Sequence, residues 1–474
     1  MNQSLIRNII LAALLLCSAC ATQKTLTLPE AVALPATPSS EDTVSTLSFR
    51  EVFHDENLRS LIEIALQHNF DLLSAQQRIN IAAANLNVAK SAWLPKVEGA
   101  VSAGAEKYGD YTQNGVGNFD TNFSDNINGK QEIPYPVTPS YFIGLRSSWE
   151  LDVWGKLKLQ KQAVNARFLA TKEGKHLIRT QVIASIAGMY YELTTLDNEL
   201  QIIKSNIKLQ ESALATVEIQ KAGGRATELA VQQFRAQLLG TKALEFKIRQ
   251  DIAALEFQLN AVLGRMPQAI ARTRQNAKQT VLPSIEKGIS AQLLLNRPDV
   301  QQAEWELAAT KVDVQVAQKA FLPSLTITPY LGFESFKAKL LFEPASIAWG
   351  AIGGLTAPIF QQKKLKANYA QREAAAYQAF YNYQQKLVNG YQEVATTLNK
   401  VENEQKAYDF KLQEVAVLQQ AVATANTLFT TGYASYLEVI TAQKSVLEAE
   451  LSLVNTRRRV YQGIVSLYRA LGGS

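Results

Sequence analysis

Few side chains in this 474-residue chain could do covalent chemistry. Its two cysteines, Cys17 and Cys20, both fall in the first twenty residues. The remainder therefore offers no disulfide, no thiolate metal site and no cysteine nucleophile. The three histidines, His54, His68 and His176, include no two at the three-to-five spacing of a zinc or relay site. No GxxxxGK[ST] or HExxH segment occurs, and Gly115-Val116-Gly117 lacks the third glycine of a dinucleotide loop. Serine and aspartate are common, but nothing pairs them with a histidine. No enzyme is expected, and no resident metal or cofactor.

Cys20 is the exception, because its context points to modification. Residues 1–19 read as a signal peptide: Arg7, then an apolar run from Ile9 to Leu16 that is too short to span a bilayer. Ser18-Ala19-Cys20 resembles a bacterial lipobox, in which the cysteine is lipidated and becomes residue one. Cys17 stands where leucine is usual, with Leu16 one place further back. A covalent lipid on Cys20 is the expected anchor. Ala21, rather than an aspartate, favours sorting to the outer membrane of a Gram-negative bacterium. Residues 20–56 read as the lipidated tether, rich in Thr, Pro and Ser.

Charge excludes one partner class. The 48 basic and 42 acidic residues leave a formal +6, and they read as interspersed along the chain rather than clustered. Arg457, Arg458 and Arg459 are consecutive in a helical segment and fan around it, which reads as a solvated face. Nucleic acid is not expected. With 47% hydrophobic residues the chain is too apolar for disorder, and its mean hydropathy of -0.08 excludes a polytopic helical membrane protein.

An internal repeat organises what must hold these residues. AKSAWLP at 89–95 recurs as AQKAFLP at 317–323, and Asp71, Ala75 and Val88 match Asp299, Ala303 and Val316, all at an offset of 228. Gly155-Lys156-Leu157 then matches Lys363-Lys364-Leu365, and Gly224 matches Gly432, at an offset of 208. The two copies span about 57–266 and 288–471, and the first carries twenty extra residues, placed in the Asn-, Gly- and Asp-rich connection 106–138.

Within each copy a period of two precedes a period near 3.5. Tyr141, Ile143, Leu145 and Trp149 alternate with Gly144, Arg146, Ser148 and Glu150. Leu325, Ile327, Leu331 and Phe333 alternate with Thr326, Thr328, Tyr330 and Gly332, and a partner runs through Ile347, Trp349, Ala351 and Leu355. Such apolar-out, polar-in segments, with aromatics near their ends, are the mark of a transmembrane β-strand. No proline occurs between Pro139 and Pro267 or after Pro358, and each stretch has one glycine-marked break. These are helical hairpins, whose longer arms approach about 100 Å at ~1.5 Å per residue. Positions 193, 196, 200, 203, 207, 210, 214 and 217 form one heptad seam, and 437, 440, 444, 447, 451, 454, 458, 461, 465 and 468 another.

The pieces NRPDV at 296–300, WELDVWGKL at 149–157 and GYASYLEVITAQ at 432–443, in this duplicated order, resemble the TolC-type outer membrane factor family over essentially all of 50–471. With Cys20 the chain is most similar to the lipoprotein branch linked to resistance-nodulation-division (RND) efflux pumps. The resemblance implies a mixed α and β membrane protein, with four transmembrane strands and long coiled-coil hairpins per chain. It also implies a homotrimer closing a twelve-stranded β-barrel over an α-helical periplasmic tunnel. The implied function is the exit duct of a tripartite system, passively conducting drugs or other small toxic compounds. Its partners would be a periplasmic adaptor, an inner-membrane RND pump and outer-membrane lipid. Type I protein secretion and heavy-metal efflux are the alternatives, and a passive coiled-coil scaffold would leave the strands unexplained.

The resulting domain reading is helix 57–95, β-hairpin 96–150 and helical hairpin 151–266, then an equatorial connection 267–298. The second copy follows as helix 299–323, β-hairpin 324–358 and helical hairpin with C-terminus 359–474. Gly223, Gly224 and Gly432 mark the turns expected at the periplasmic tip, where an adaptor would meet them. Relatives carry inward acidic residues near this tip. Ala434 stands where some have an aspartate, which leaves Glu438 as the candidate gate.

Overall fold

The computed structural model describes residues 26–31, 48–273, 294–358 and 360–473. Cys17, Cys20, the signal segment, much of the tether and most of the connection 267–298 lie outside the described residues. Helices α1 (Phe49–Val52), α2 (Glu56–His68) and α3 (Phe70–Ser91) lead into strand β1 (Lys96–Glu106). A connection holding helix α4 (Gln113–Thr121) returns as β2 (Thr138–Leu151), followed by α5 (Lys156–Ala222) and α6 (Glu228–Val262). The second copy runs α7 (Pro298–Lys319), β3 (Ser324–Ser335), β4 (Ile347–Thr356), α8 (Gln362–Thr431) and α9 (Tyr436–Ala470). Connection 107–137 exceeds 336–346 by the twenty residues that the change of offset requires. It carries a helix of its own, in which Thr112 caps α4 through the Gly115 amide at 3.0 Å.

Two compact units divide the chain. One comprises Met1–Pro29, Ala82–Phe168 and Glu306–Phe380; the other comprises Glu30–Ile81, Leu169–Trp305 and Tyr381–Ser474.

The first unit holds one antiparallel sheet in the order β1-β2-β3-β4. Its register places Val101 opposite Ile143, Ile143 opposite Phe333 and Phe333 opposite Ile347, an apolar row across all four strands. The opposite face carries the row Glu98, Arg146, Tyr330 and Gly350. Val101, Leu145, Leu331, Trp349 and Leu355 all stand exposed on the apolar face. Each such side chain gains about 1.5–3 kcal/mol when withdrawn from water, so this face demands an apolar medium. The polar face solves a packing problem differently. Phe142 lies over Gly144 and Gly332, and Tyr330 over Gly350, so the glycines are the space that the rings fill. Arg146 stacks on Phe142 with 4.5 Å to the ring centroid.

The long arms of the second unit pack as the first heptad seam requires. Leu193, Ile203, Gln210 and Val217 are buried. The second seam holds only away from the tip. Val454, Tyr461, Val465 and Tyr468 are buried as its heptads require, but at the start of α9 Leu437 and Lys444 are exposed and Val439, Gln443 and Val446 are buried in their place. The arginine run is not the solvated face that its sequence suggested. Arg457 is only 2% exposed, Arg458 pairs with Glu192 at 3.0 Å and Arg459 with Glu404 at 2.9 Å. Around the base of the hairpins, Leu58 and Ile62 of α2 join Ile183, Tyr190, Leu259, Val460 and Tyr468 in the main core. Tyr191 stacks on Tyr461 at 4.4 Å between centroids.

The duplication recurs as matched hydrogen bonds. Asn69 Nδ2 donates to the Val262 carbonyl at 2.8 Å; its counterpart Arg297 donates through Nη1 to the Ala470 carbonyl at 2.6 Å. Each thus supplies a donor to a helix C-terminus whose last carbonyls lack partners within the helix. Arg297 is also held by Asp299 and Glu393, each at 3.0 Å. Gly264 and Gly472 follow these helix ends with φ of +70° and +74°. A Cβ on Gly264 would lie 2.3 Å from the His68 carbonyl oxygen, and one on Gly472 would lie 3.1 Å from Arg297 Cα. We expect Gly264→Ala and Gly472→Ala each to cost about 2 kcal/mol or more, from the left-handed backbone and the clash together. Gly188→Ala, in open space within α5, should be neutral or stabilise by up to roughly 1 kcal/mol. Equal thermal midpoints for all three proteins would refute this account.

Candidate functional site

Two features stand out: sheet edges without partners and the tips where the hairpins turn. In the sheet, β1 and β4 each pair on one side only among the described residues. Their outer rows of N–H and C=O groups are open. In the helical unit the outward faces of α6 and α8 repeat the pattern in side chains. Leu239, Phe246 and Phe257 stand exposed on α6, and Val388, Phe410 and Val417 on α8. Leu239 and Phe246 are seven apart, as are Phe410 and Val417. That is the spacing of a coiled-coil seam still lacking its partner helix.

At the hairpin ends, Gly224 and Gly432 have φ of +73° and +86°. The Arg225 amide reaches back to the Gln220 carbonyl at 2.8 Å and the Tyr433 amide to that of Leu428 at 2.8 Å, closing both helices in the same way. Gly223 differs from the expectation, because its φ is not positive and Gly224 alone takes the left-handed turn. Val217, Val231 and Phe234 of the first hairpin and Val439 of the second form one buried cluster, so the two turns are held side by side.

Glu438 is exposed at the start of α9, where Ser435 is the N-cap. Ser435 Oγ accepts from the Leu437 amide and donates to the Glu438 carboxylate. That hydroxyl holds the Glu438 carboxyl below the usual carboxylate range. The pair is the Ser-x-x-Glu signature of a helix start, and YASYLEV carries it in its residue order alone. In the first copy Thr227 caps α6 through the Ala230 amide at 3.2 Å, and Glu228 pairs with Lys221. Arg297 and Asp299 pair within NRPDV itself, but the reach of Arg297 to Glu393 and the Ala470 carbonyl has no such local signal, because those partners lie far along the chain. Among the described residues no group of three His, Cys, Asp or Glu side chains could hold a metal ion.

Known proteins share this arrangement. The profile described as "Outer membrane efflux protein" matches residues 61–265 and 289–473. "Probable outer membrane lipoprotein SilC" of Salmonella typhimurium is 28% identical over 439 residues, covering 93% of this chain and 90% of SilC. "Cation efflux system protein CusC" of Escherichia coli K12 is 28% identical over 438 residues, covering 92% of this chain and 90% of CusC. A crystal structure of CusC, reported with the conformational changes accompanying folding and transmembrane channel formation, superposes with a TM-score of 0.81 at 26% identity. It covers 94% of this chain and 99% of that one.

Proposed function

The chain belongs to the outer membrane efflux protein family, and on that premise we propose that it is the outer-membrane exit duct of a tripartite efflux system. It conducts small toxic compounds passively, received from an inner-membrane pump of the RND class through a periplasmic adaptor. One observation carries the reading: a four-stranded sheet with an exposed apolar face and two unpaired edges, borne by the same chain as two long hairpins with unpartnered seams. Unpaired backbone groups find no water in hydrocarbon, so such a sheet inserts only when copies of the chain close it. Three copies would close a twelve-stranded barrel, with α6 of one protomer against α8 of the next.

The cargo is set by the pump, and the duct's own residues name none. Drugs remain the primary reading. The likeness to CusC favours a second, cations. The adaptor would dock at the paired turns around Gly224 and Gly432. Gly432→Val forces a β-branched side chain into a left-handed turn and should abolish resistance conferred in an efflux-deficient strain, while the trimer still reaches the outer membrane. Drug and cation resistance measured side by side separate the two cargoes. Full resistance from the variant would refute the tip's role.

Glu438 is proposed to add a ring of like charge where three tips converge, besides capping its own helix. In planar bilayers the purified protein should form channels, and Glu438→Gln should lower their cation selectivity without loss of the trimer. Unchanged selectivity would return Glu438 to capping alone. Cys20 is proposed as the lipidated N-terminus, which the name of SilC as a lipoprotein supports. Mass spectrometry of the mature N-terminal peptide should find lipid on Cys20; an unmodified peptide starting elsewhere would overturn it. Cys20→Ala should leave the barrel membrane-inserted, since the sheet's apolar face suffices to hold it there.

A further inference from the structure

The surplus charge of this chain is not spread evenly once folded. Where helices meet strands in the first unit, four short segments come together: 89–98, 149–161, 316–326 and 354–366. Lys156, Lys158 and Lys161 open α5, and Lys363, Lys364 and Lys366 open α8. Lys90 and Lys96 flank the turn into β1, and Lys319 ends α7 before β3. The same segments hold three acidic residues, Glu98, Glu150 and Asp152, so their balance equals the +6 of the entire chain. Charges that looked interspersed along the sequence are gathered by the fold at one level.

Three observations mark this collar as a surface for an anion. First, the lysines are uncompensated. Among the described residues Lys156 alone of them has a carboxylate partner, Glu150 at 2.5 Å. Second, Lys156, Lys158, Lys363 and Lys364 sit in the first turns of α5 and α8, where the macrodipole disfavours cations, and neither turn has an acidic residue. Asp152 already serves the α5 amides, accepting from Leu157 and Lys158 at 2.9 Å each. Helix stability therefore does not explain the lysines. Third, they adjoin exposed apolar and aromatic groups at one end of the strands: Trp93, Leu94, Trp154 and Phe360. Trp154 Nε1 donates to the Pro323 carbonyl at 2.6 Å, which fixes its ring beside a groove lined also by Lys156, Lys319 and Phe360. Aromatic rings with cationic side chains at the end of an apolar strand face are what a headgroup layer receives.

The tether indicates which side faces the membrane. Leu26 and Leu28 line a pocket with Leu159, Val314 and Lys319, and Tyr377 Oη donates to the Thr27 carbonyl at 3.0 Å. With lipid on Cys20, as proposed above, a segment only six residues further on would be kept close to the membrane, and Lys319 borders both this pocket and the Trp154 groove.

We propose that this lysine collar binds the phosphate headgroups of anionic phospholipids in the periplasm-facing leaflet, an inference that rests on the outer-membrane reading above. The test uses full-length protein in vesicles of zwitterionic lipid containing either brominated phosphatidylglycerol or brominated phosphatidylcholine. Bromine quenches tryptophan on contact; with Trp349 of the lipid-facing row replaced by phenylalanine, Trp93, Trp149 and Trp154 report from the collar. Quenching should favour phosphatidylglycerol by about fivefold at low salt and lose that preference as salt rises toward ~0.5 M. Replacing Lys158, Lys161, Lys363, Lys364 and Lys366 by glutamine should abolish the preference, and replacing them by arginine should keep it. Free inorganic phosphate at millimolar concentration should not compete. Equal quenching by both lipids with the lysines in place overturns the collar and leaves the duct standing. Competition by free phosphate reassigns the lysines to a soluble anion, and a glutamine variant that alters only channel ion selectivity places them in the duct; either result overturns the proposal. Absence of quenching by either lipid overturns the membrane reading and the collar with it.

Discussion

Backbone groups that cannot be left dry govern this molecule. Among the described residues, a sheet of four strands leaves two rows of N–H and C=O groups without partners, and hydrocarbon offers no water to satisfy them. One chain is therefore an incomplete object, and its apolar face has a use only after closure. The helices obey the weaker form of the same rule. The exposed stripes on α6 and α8 lose hydrophobic free energy rather than hydrogen bonds, so they favour association without compelling it. Closure is demanded by the strands and guided by the helices.

The duplication shows how one solution was used twice with different chemistry. Asn69 and Arg297 occupy matching positions and both reach a helix-terminal carbonyl. The asparagine also caps its own helix, accepting from the Asp71 and Leu72 amides at 3.0 Å each. The arginine instead gathers Asp299 and Glu393, and Glu393 also receives Arg469 at 2.5 Å. Arg297 is the enclosed member, its side chain only 9% exposed, and leaving it without its carboxylates costs about 3–5 kcal/mol, more than loss of a neutral bond. The second junction is thus the less forgiving of the two.

Buried polarity along the hairpins runs against simple coiled-coil stability. Gln210 and Gln443 are almost fully enclosed, and neither amide has a hydrogen-bond partner among the described residues. Arg457 is similarly enclosed, with Nη1 unpartnered, and burial lowers its pKa from the ordinary value. Each such group costs on the order of 1–3 kcal/mol against an apolar residue of the same shape. The helical seams are accordingly weaker than their heptads alone would make them.

Periodicity makes the architecture readable in the chain itself. A period of two sets which strand face is apolar, and the observed register joins Val101, Ile143, Phe333 and Ile347 in one row. The Gly224 and Gly432 turns are equally open to reading, because each proline-free stretch carries a glycine there and the two glycines match across the repeat. Local chemistry carries the Ser435–Glu438 cap as well, since both partners lie within one turn of each other. Three-dimensional packing decided the rest. A heptad names a stripe but not which of two neighbouring stripes a given partner covers, so α9 buries Val439 and Gln443 and leaves Leu437 and Lys444 exposed. Three adjacent arginines look alike in one dimension, yet helix rotation buries Arg457 and gives its neighbours to Glu192 and Glu404. The lysines at four separate places became one collar only when strands brought the helix ends to a common level. Contacts across hundreds of residues depend on where the chain turns back, and that is a property of the fold rather than of any local run.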